Sequence, residues 1–309
     1  MFRITVCLLG LMGEYMERFI QALISGLLMG GVYSTIAVGL SLAFGVMRVI
    51  NWAHGELLMI SMYLSFLIIN ATGWNPYLVI FIVGLIMFIF GYFFQGSVIN
   101  RLLVREESRE PISVLLFTAG LGMILSNFAL IVFGANPIMV STPYQGRTFM
   151  VGEVIVSVPR LISFAIAITA TFLLYFFLQK TEAGRAIRAT SQNRSIAQLM
   201  GINQKRIYAL AFGIGIALVG ISGGLLVPFF SIYPLVGLTF SNRSFIIVVL
   251  GGKGSVMGAL VGGLIVGLIE QLAGQLLTDA YAQAIVFLLF VFVLLFRPSG
   301  LLGRESEGA

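Results

Sequence analysis

Charge is scarce in this sequence. Only 10% of its 309 residues are charged, against about 25% in an ordinary soluble domain. Hydrophobic residues make up 59%, and the mean hydropathy is +1.04. A soluble globule of this length cannot hide so much apolar surface, whereas lipid lets apolar side chains face acyl chains. The single cysteine, Cys7, excludes an internal disulfide. The single histidine, His54, puts a His/Cys metal cage out of reach. No Gly-x4-Gly-Lys-Ser/Thr phosphate loop is present, so this chain cannot hydrolyse ATP alone. Gly251-Gly252-Lys253-Gly254-Ser255 has the wrong spacing for one and reads as a tight turn between two spans. Catalytic residues, cofactors and metals are therefore expected to be absent.

What is present is a succession of long apolar stretches. They lie at about 19–45, 54–69, 76–100, 112–134, 160–179, 206–229, 232–250, 256–274 and 279–296. At 1.5 Å per residue, most can cross ~30 Å of hydrocarbon as a helix. They lack period-2 alternation, so helices are favoured over a barrel. The expected fold is all-α, a polytopic membrane bundle of about 8–9 transmembrane helices with a short cytoplasmic coupling helix. Two stretches raise questions. The first could break at Gly30-Gly31. The 232–250 run, holding Pro234, Gly237, Asn242 and Arg243, suggests a partly unwound or re-entrant segment.

Orientation follows from the basic residues. The net charge of +6 would suggest nucleic acid in a soluble protein, but here it reads as cytoplasmic loop charge, with no nucleic-acid partner. Lys180, Arg185, Arg188, Arg194, Lys205 and Arg206 share the 180–206 segment with a single acid, Glu182. Arg101, Arg105 and Arg109 cluster in 101–111. Making both segments cytoplasmic puts 13 of the 18 basic residues inside, four outside, and leaves Arg243 ambiguous. The N-terminus then falls outside. Residues 1–15 read as an N-terminal extension, because Ile4 to Met12 is too short to span and Met16 opens a more natural start. Residues 16–303 form a single transmembrane permease domain with its coupling loop at about 180–206, and 304–309 are a tail. The external loop 135–159 carries Asn136-Pro137 and Thr142-Pro143, which stop helices. Beyond them Thr148 to Met150 and Val154 to Val158 flank Val151-Gly152-Glu153, as a small hairpin or a plain connecting loop.

Glycine totals 36 residues, many inside spans. Gly258-x-x-x-Gly262 and Gly263-x-x-x-Gly267 make small-residue faces for close helix approach, within the chain or against another subunit.

Two polar segments stand out. Asn51-Trp52-Ala53-His54-Gly55-Glu56 joins the first two spans. Polar groups in lipid are costly, so these side chains should face a cavity or another helix. Asn51 or His54 could cap the second helix, and Glu56 suits the positive end of its dipole. The alternative role is lining a substrate path, for which Asn51, His54, Glu56, Gly251 and Gly252 are candidates. Glu270 and Gln271 pose the same question more weakly. In the second segment, Thr181 can cap a helix running through Ala189, Asn193 a shorter one, and Gly201 suits the residue after its end. Ile196, Leu199 and Met200 share one face of the shorter helix. Such a face on an exposed basic helix needs a partner, either the membrane surface or a protein groove.

The runs Gly184-Arg185-Ala186-x-Arg188-Ala189 and Ala197-x-Leu199-x-Gly201-Ile202-Asn203 resemble the coupling loop of ATP-binding-cassette importer permeases, and of branched-chain amino acid permeases in particular. Asn51-x-Ala53-His54-Gly55-Glu56, Val249-Leu250-Gly251-Gly252-x-Gly254-Ser255-x-x-Gly258-Ala259 and Arg297-Pro298-x-Gly300-Leu301 are similar to motifs of that family too. Glu182-Ala183-Gly184 is only a partial version of the Glu-Ala-Ala-x3-Gly pattern of the wider superfamily. The resemblance implies a bacterial cytoplasmic (inner) membrane protein that carries branched-chain or other small neutral amino acids. It implies a second homologous permease, two cytoplasmic ATP-binding subunits and an extracytoplasmic substrate-binding protein as partners. It also implies an ATPase-coupling loop at Glu182, Gly184, Arg185, Arg188, Ile196, Leu199, Met200 and Gly201. Urea or short-chain amides remain alternative substrates. A secondary transporter or channel would need ionisable residues at mid-span and an inverted repeat. A membrane-embedded enzyme would need a nucleophile–base pair or metal cluster.

Overall fold

A computed structural model describes residues 2–105, 112–152 and 154–303. The side chains of 1–15 and of residues 104, 105, 151, 276 and 279 are outside that description. Helix α1 (Phe2–Met47) leads into α2 (His54–Thr72) and α3 (Pro76–Phe94). A π-turn, Gln95–Ile99, passes into α4 (Asn100–Arg105), followed by α5 (Ile112–Phe133). The strands β1 (Thr148–Val151) and β2 (Val154–Ser157) pair antiparallel, Thr148 opposite Ser157, so 135–159 does contain a hairpin. Then come α6 (Val158–Lys180), α7 (Glu182–Gln192), α8 (Arg194–Leu199) and α9 (Gln204–Leu226). The chain ends with α10 (Val236–Gly251), α11 (Val256–Leu276) and α12 (Asp279–Phe296).

Seven helices among the described residues are long and apolar enough to cross a membrane, and Val236–Gly251 and Ala280–Phe296 are shorter apolar helices. Together these nine coincide with the nine apolar stretches of the sequence. Local chemistry sets many of their ends. Asn75 accepts a hydrogen bond from the Tyr77 amide (3.0 Å) ahead of Pro76 at the first position of α3. Ser255 accepts from Gly258 N (3.0 Å) to start α11, and Asn203 from Arg206 N (3.2 Å) to start α9.

The bundle is organised around α1, whose most apolar window is 89% buried. It packs against α11, α9, α6 and α10. Hydrophobicity does not draw helices together in lipid, so close backbone packing has to do so. A Cβ on Gly30 would stand 2.9 Å from Gly263 O and from Leu264 Cα, and one on Gly215 would stand 2.6 Å from Gly39 O. Only hydrogen fits at these crossings. The Gly258/Gly262 face of α11 meets α10, and the Gly263/Gly267 face meets α1, so both small-residue faces are used within the chain.

Helix α1 is continuous through Gly30-Gly31, where the sequence left room for a break. The helical penalty of glycine, ~1 kcal/mol each, is offset by contacts that glycine alone permits, with α11 at Gly30 and the Phe164 ring at Gly31.

Arg48, Arg101, Lys180, Arg185, Arg188, Arg194, Lys205, Arg206, Lys253 and Arg297 lie at one end of the bundle, and Arg18, Arg147 and Arg160 at the other. The first end is therefore cytoplasmic.

Candidate functional site

The backbone between α1 and α2 is irregular at membrane depth. Arg48, at φ 50, is the one described non-glycine residue in the left-handed region, and it turns the chain at the cytoplasmic end of α1. Residues 48–53 then climb back along the bundle. His54 Nε2 lies 3.0 Å from the Ile36 carbonyl. Ile36 is about 11 residues before Met47, or ~16 Å along the helix axis, so α2 begins well inside the membrane. Irregular backbone at that depth is tolerated only where protein or a cavity surrounds it.

Neither Asn51 nor His54 caps α2, contrary to the expectation. The cap position is Ala53, with no side-chain cap bond. Asn51 Oδ1 instead accepts from Ala53 N (3.1 Å), holding the turn one step earlier, while its Nδ2 is buried without a partner. His54 is 1% exposed and its ring reaches sideways to α1, too far from its own helix start to cap it. Glu56 does fall in the first turn of α2, where the helix dipole favours a negative charge.

The start of α10 meets the start of α2. Residues 227–235 leave α9 as irregular chain, tied to the outer loop by the two hydrogen bonds between Ile232 and Ile138 (2.8 and 2.9 Å). The 232–250 stretch is thus irregular first and helical after Val236. Gly55 N donates to Ser241 Oγ (2.9 Å), and the Ser241 hydroxyl also faces the Glu56 carboxylate. A Cβ on Gly237 would stand 2.9 Å from Glu56 N and Cα. On its other side Glu56 is covered by Gly122 of α5, where a Cβ would lie 3.4 Å from Oε2. Glu56 is 2% exposed, and Oε2 has no hydrogen-bond partner. Local sequence gave no signal for Ser241, Thr118 or Gly122, which join this site from other helices. Thr118 Oγ1 accepts from Trp52 N (3.1 Å).

Gly251 and Gly252 lie elsewhere. Gly251 packs on Gly258 and Ala259, and Gly252, at φ 103, forms the cytoplasmic turn into α11. The tail covers them through Leu301 N to Leu250 O (2.8 Å) and Leu302 N to Gly251 O (3.0 Å). Both glycines are buried in backbone contacts rather than gathered with Glu56.

The cytoplasmic segment folds as two short capped helices. Thr181 Oγ1 accepts from Gly184 N and Asn193 Oδ1 from Ile196 N, each at 3.0 Å, and Gly201 takes φ 83 after α8. Gly184 sits against the end of α6, where a Cβ would stand 2.6 Å from Leu178 Cα. Ile187 and Ala197 are buried, and Arg188 Nη1 donates to Gln179 Oε1 (2.7 Å). Glu182 and Arg185 are solvent-facing, 3.8 Å apart. Arg194 stacks over Tyr208 (5.7 Å), and burial lowers its pKa from the ordinary arginine value. Ile196, Leu199 and Met200 are 58%, 85% and 79% exposed. The residues beneath anchor the helices, and these three remain as a bare apolar patch.

One further polar cluster was not foreseen as a unit. Arg243 of α10 pairs with Glu270 of α11 through Nη2 and, at 3.1 Å, through Nε. Tyr33 Oη donates to Glu270 Oε1 (3.5 Å), and the guanidinium lies 5.3 Å from the Tyr33 ring centroid and 5.6 Å from that of Phe240. Among the described residues no three His, Cys, Asp or Glu side chains gather to hold a metal.

A helical bundle in which two helices begin at mid-membrane, with an anchored cytoplasmic loop bearing an apolar patch, is an architecture suited to a membrane permease. The family described as branched-chain amino acid transport system, permease component, matches residues 22–294, and the chain belongs to it. The LivH high-affinity branched-chain amino acid transport system permease protein of Escherichia coli K12 is 33% identical, over 96% of this chain and 99% of the relative. BraD of Pseudomonas aeruginosa is 31% identical over 94% and 97%. A probable LivH of Methanocaldococcus jannaschii is 29% identical over 87% and 88%. No solved structure matches significantly. The chain is a permease subunit of an ATP-binding-cassette importer and resides in the cytoplasmic membrane. Importers of this kind work with ATPase and binding-protein partners.

Proposed function

We propose that this chain forms half of a translocation path for branched-chain amino acids. In the complete importer it pairs with a second, homologous permease, and two ATPases dock on the cytoplasmic loops of the pair. An extracytoplasmic binding protein delivers the substrate. The observation that carries the substrate class is near full-length similarity to permeases named for branched-chain amino acids, at 33% and 31% identity. The anchored α7–α8 unit, with Leu199 and Met200 bare, supports the docking role. An apolar helix face laid into a groove is a standard way for one protein to grip another. On this reading the ATPases do the hydrolysis and the chain itself is not an enzyme. Asn51, His54 and Glu56 belong to the path region at the mid-membrane start of α2, and Gly251 and Gly252 to the scaffold.

The test is reconstitution of the chain with its co-encoded partners in vesicles, with ATP supplied on the ATPase side. Leucine, isoleucine or valine should accumulate only when ATP and the binding protein are both present. Accumulation without ATP would refute the importer reading. Uptake of urea or short amides in place of the amino acids would refute the substrate class.

A further inference from the structure

At the outer end of α5 lies a small cavity of about 170 Å³, lined by Ser126, Asn127 and Leu130 of α5, Ala135 and the irregular residues Tyr233, Pro234 and Leu235. Two of its lining residues lie near the glycines that pack on Glu56. Ser126 is one turn along α5 from Gly122, which covers Glu56 Oε2. Leu235 is two residues before Gly237, which packs on the Glu56 backbone. The lining is mostly apolar, and an apolar cavity of ~150 Å³ can hold a benzene molecule, so a four-carbon side chain fits. The cavity is at the outer end of the bundle, beside the Ile138–Ile232 bridge, on the face a delivered substrate reaches first.

Three chemistries therefore neighbour one another along α5 and the start of α10. The first is the apolar cavity. The second is a carboxylate that is 2% exposed with one oxygen unpartnered, an arrangement expensive in the membrane unless a cation or proton joins it. The third is the N-terminus of α10, which has no side-chain cap; Val236 N donates to Tyr233 O (3.0 Å), which leaves the amides of Gly237 and Leu238 at its first turn. An aliphatic α-amino acid presents the complement of all three: an apolar side chain, an ammonium and a carboxylate.

We infer that Glu56, the α10 N-terminus and this cavity form a selectivity site for the zwitterionic aliphatic amino acid inside the permease itself. The ammonium goes to Glu56, the carboxylate to the α10 amides and the side chain to the cavity. Gly122 then acts as a cover. Because it carries no side chain, a small displacement of α5 uncovers Oε2. Helix α5 is suited to move, since its most apolar window is only 22% buried and it packs on α2 and α4 alone among the main helix contacts. This inference rests on the amino-acid reading above, and it adds that discrimination is built into this chain as well as into the binding protein.

The experiment uses the complete importer in vesicles with its binding protein, measuring leucine uptake and valine uptake. Glu56→Gln keeps the shape and removes the charge. Leucine uptake should fall about 10- to 100-fold, the scale of a lost charge-assisted hydrogen bond. Glu56→Asp should retain more uptake than Glu56→Gln. Ser126→Leu narrows the cavity and should lower the leucine-to-valine uptake ratio about 10-fold, the scale of one methylene in a tight pocket. Normal uptake by Glu56→Gln overturns the inference, because it would mean that the carboxyl serves only as a neutral packing group. Equal loss in Glu56→Asp and Glu56→Gln overturns it as well. If Glu56→Gln fails to assemble, the Ser126→Leu ratio decides, and an unchanged ratio overturns the site. Failure of the unaltered importer to take up any branched-chain amino acid would instead defeat the substrate reading.

Discussion

The Arg243–Glu270 pair gives the sharpest stability test. Both side chains are largely buried, 16% and 13% exposed, and they sit at membrane depth between α10, α11 and α1. Breaking a buried pair by removing one partner costs ~3–5 kcal/mol, whereas replacing both by well-packed apolar groups is often neutral. The two single changes should differ, because the stranded charges differ. Glu270→Gln leaves an arginine that cannot lose its charge facing a neutral amide in place of the carboxylate, beside the rings of Tyr33 and Phe240. Arg243→Met leaves a carboxylate that can take up a proton and keep the Tyr33 hydroxyl at 3.5 Å. Glu270→Gln should therefore be the worse of the two, lowering the unfolding midpoint in detergent by on the order of 10 °C. Arg243→Met should lower it by about half as much. The double change, Arg243→Met with Glu270→Leu, should return to within a few degrees of the parent. The assay is thermal unfolding of the purified protein followed by its tryptophan fluorescence. If the double variant is as unstable as Glu270→Gln, the ion pair is not what holds these helices and the reasoning fails.

Other expectations follow from the same geometry. Leu199→Asp with Met200→Asp should abolish co-purification of the ATPases while leaving insertion and melting unchanged, since both side chains are more than three-quarters exposed. Arg185→Glu with Arg188→Glu should uncouple ATP hydrolysis from uptake without loss of the permease from the membrane, and normal uptake would remove the coupling assignment. Gly267→Leu should destabilise the fold by ~1–3 kcal/mol or more, visible as a lower melting point, because any side chain there meets Gly26 O and Gly30 N at 2.6 Å. Replacing His54 by Ala leaves the end of the 48–53 connector without its tie to Ile36, and faster hydrogen exchange at residues 52–56 would report it.

Much of the architecture could be read from the sequence, because a lipid solvent makes length and apolarity decisive. All nine apolar runs became helices, and Thr181, Asn193 and Gly201 take the cap and turn positions their chemistry suggests. What could not be read depends on partners distant in sequence. Gly30-Gly31 looks like a break until α11 and Phe164 are laid against it. His54 looks like a cap until the connector is seen to carry it about ten residues back along α1. Arg243 and Glu270 are isolated oddities on two helices until a tight turn at Gly252–Gly254 brings α10 and α11 antiparallel. The site around Glu56 draws on three helices, and only its α2 portion is contiguous.

The distribution of glycine links stability to transport. Helices α1, α9, α10 and α11 meet through glycine at Gly39–Gly215, Gly30–Gly263 and Gly251–Gly258, contacts so close that relative sliding would collide backbones. That frame is rigid enough to bury the irregular segments 48–53 and 227–235 and to hold the starts of α2 and α10 together at mid-membrane. Helix α5 is attached differently. It is held to the 48–53 connector by a Trp52–Thr118 hydrogen bond of 3.1 Å and to α2 by a Tyr63–Phe133 stack of 4.1 Å, and it covers Glu56 with Gly122. A permease that alternates access needs one part that does not yield and one part that does. Here the line between them runs along the α2–α5 contact, directly over the buried carboxylate.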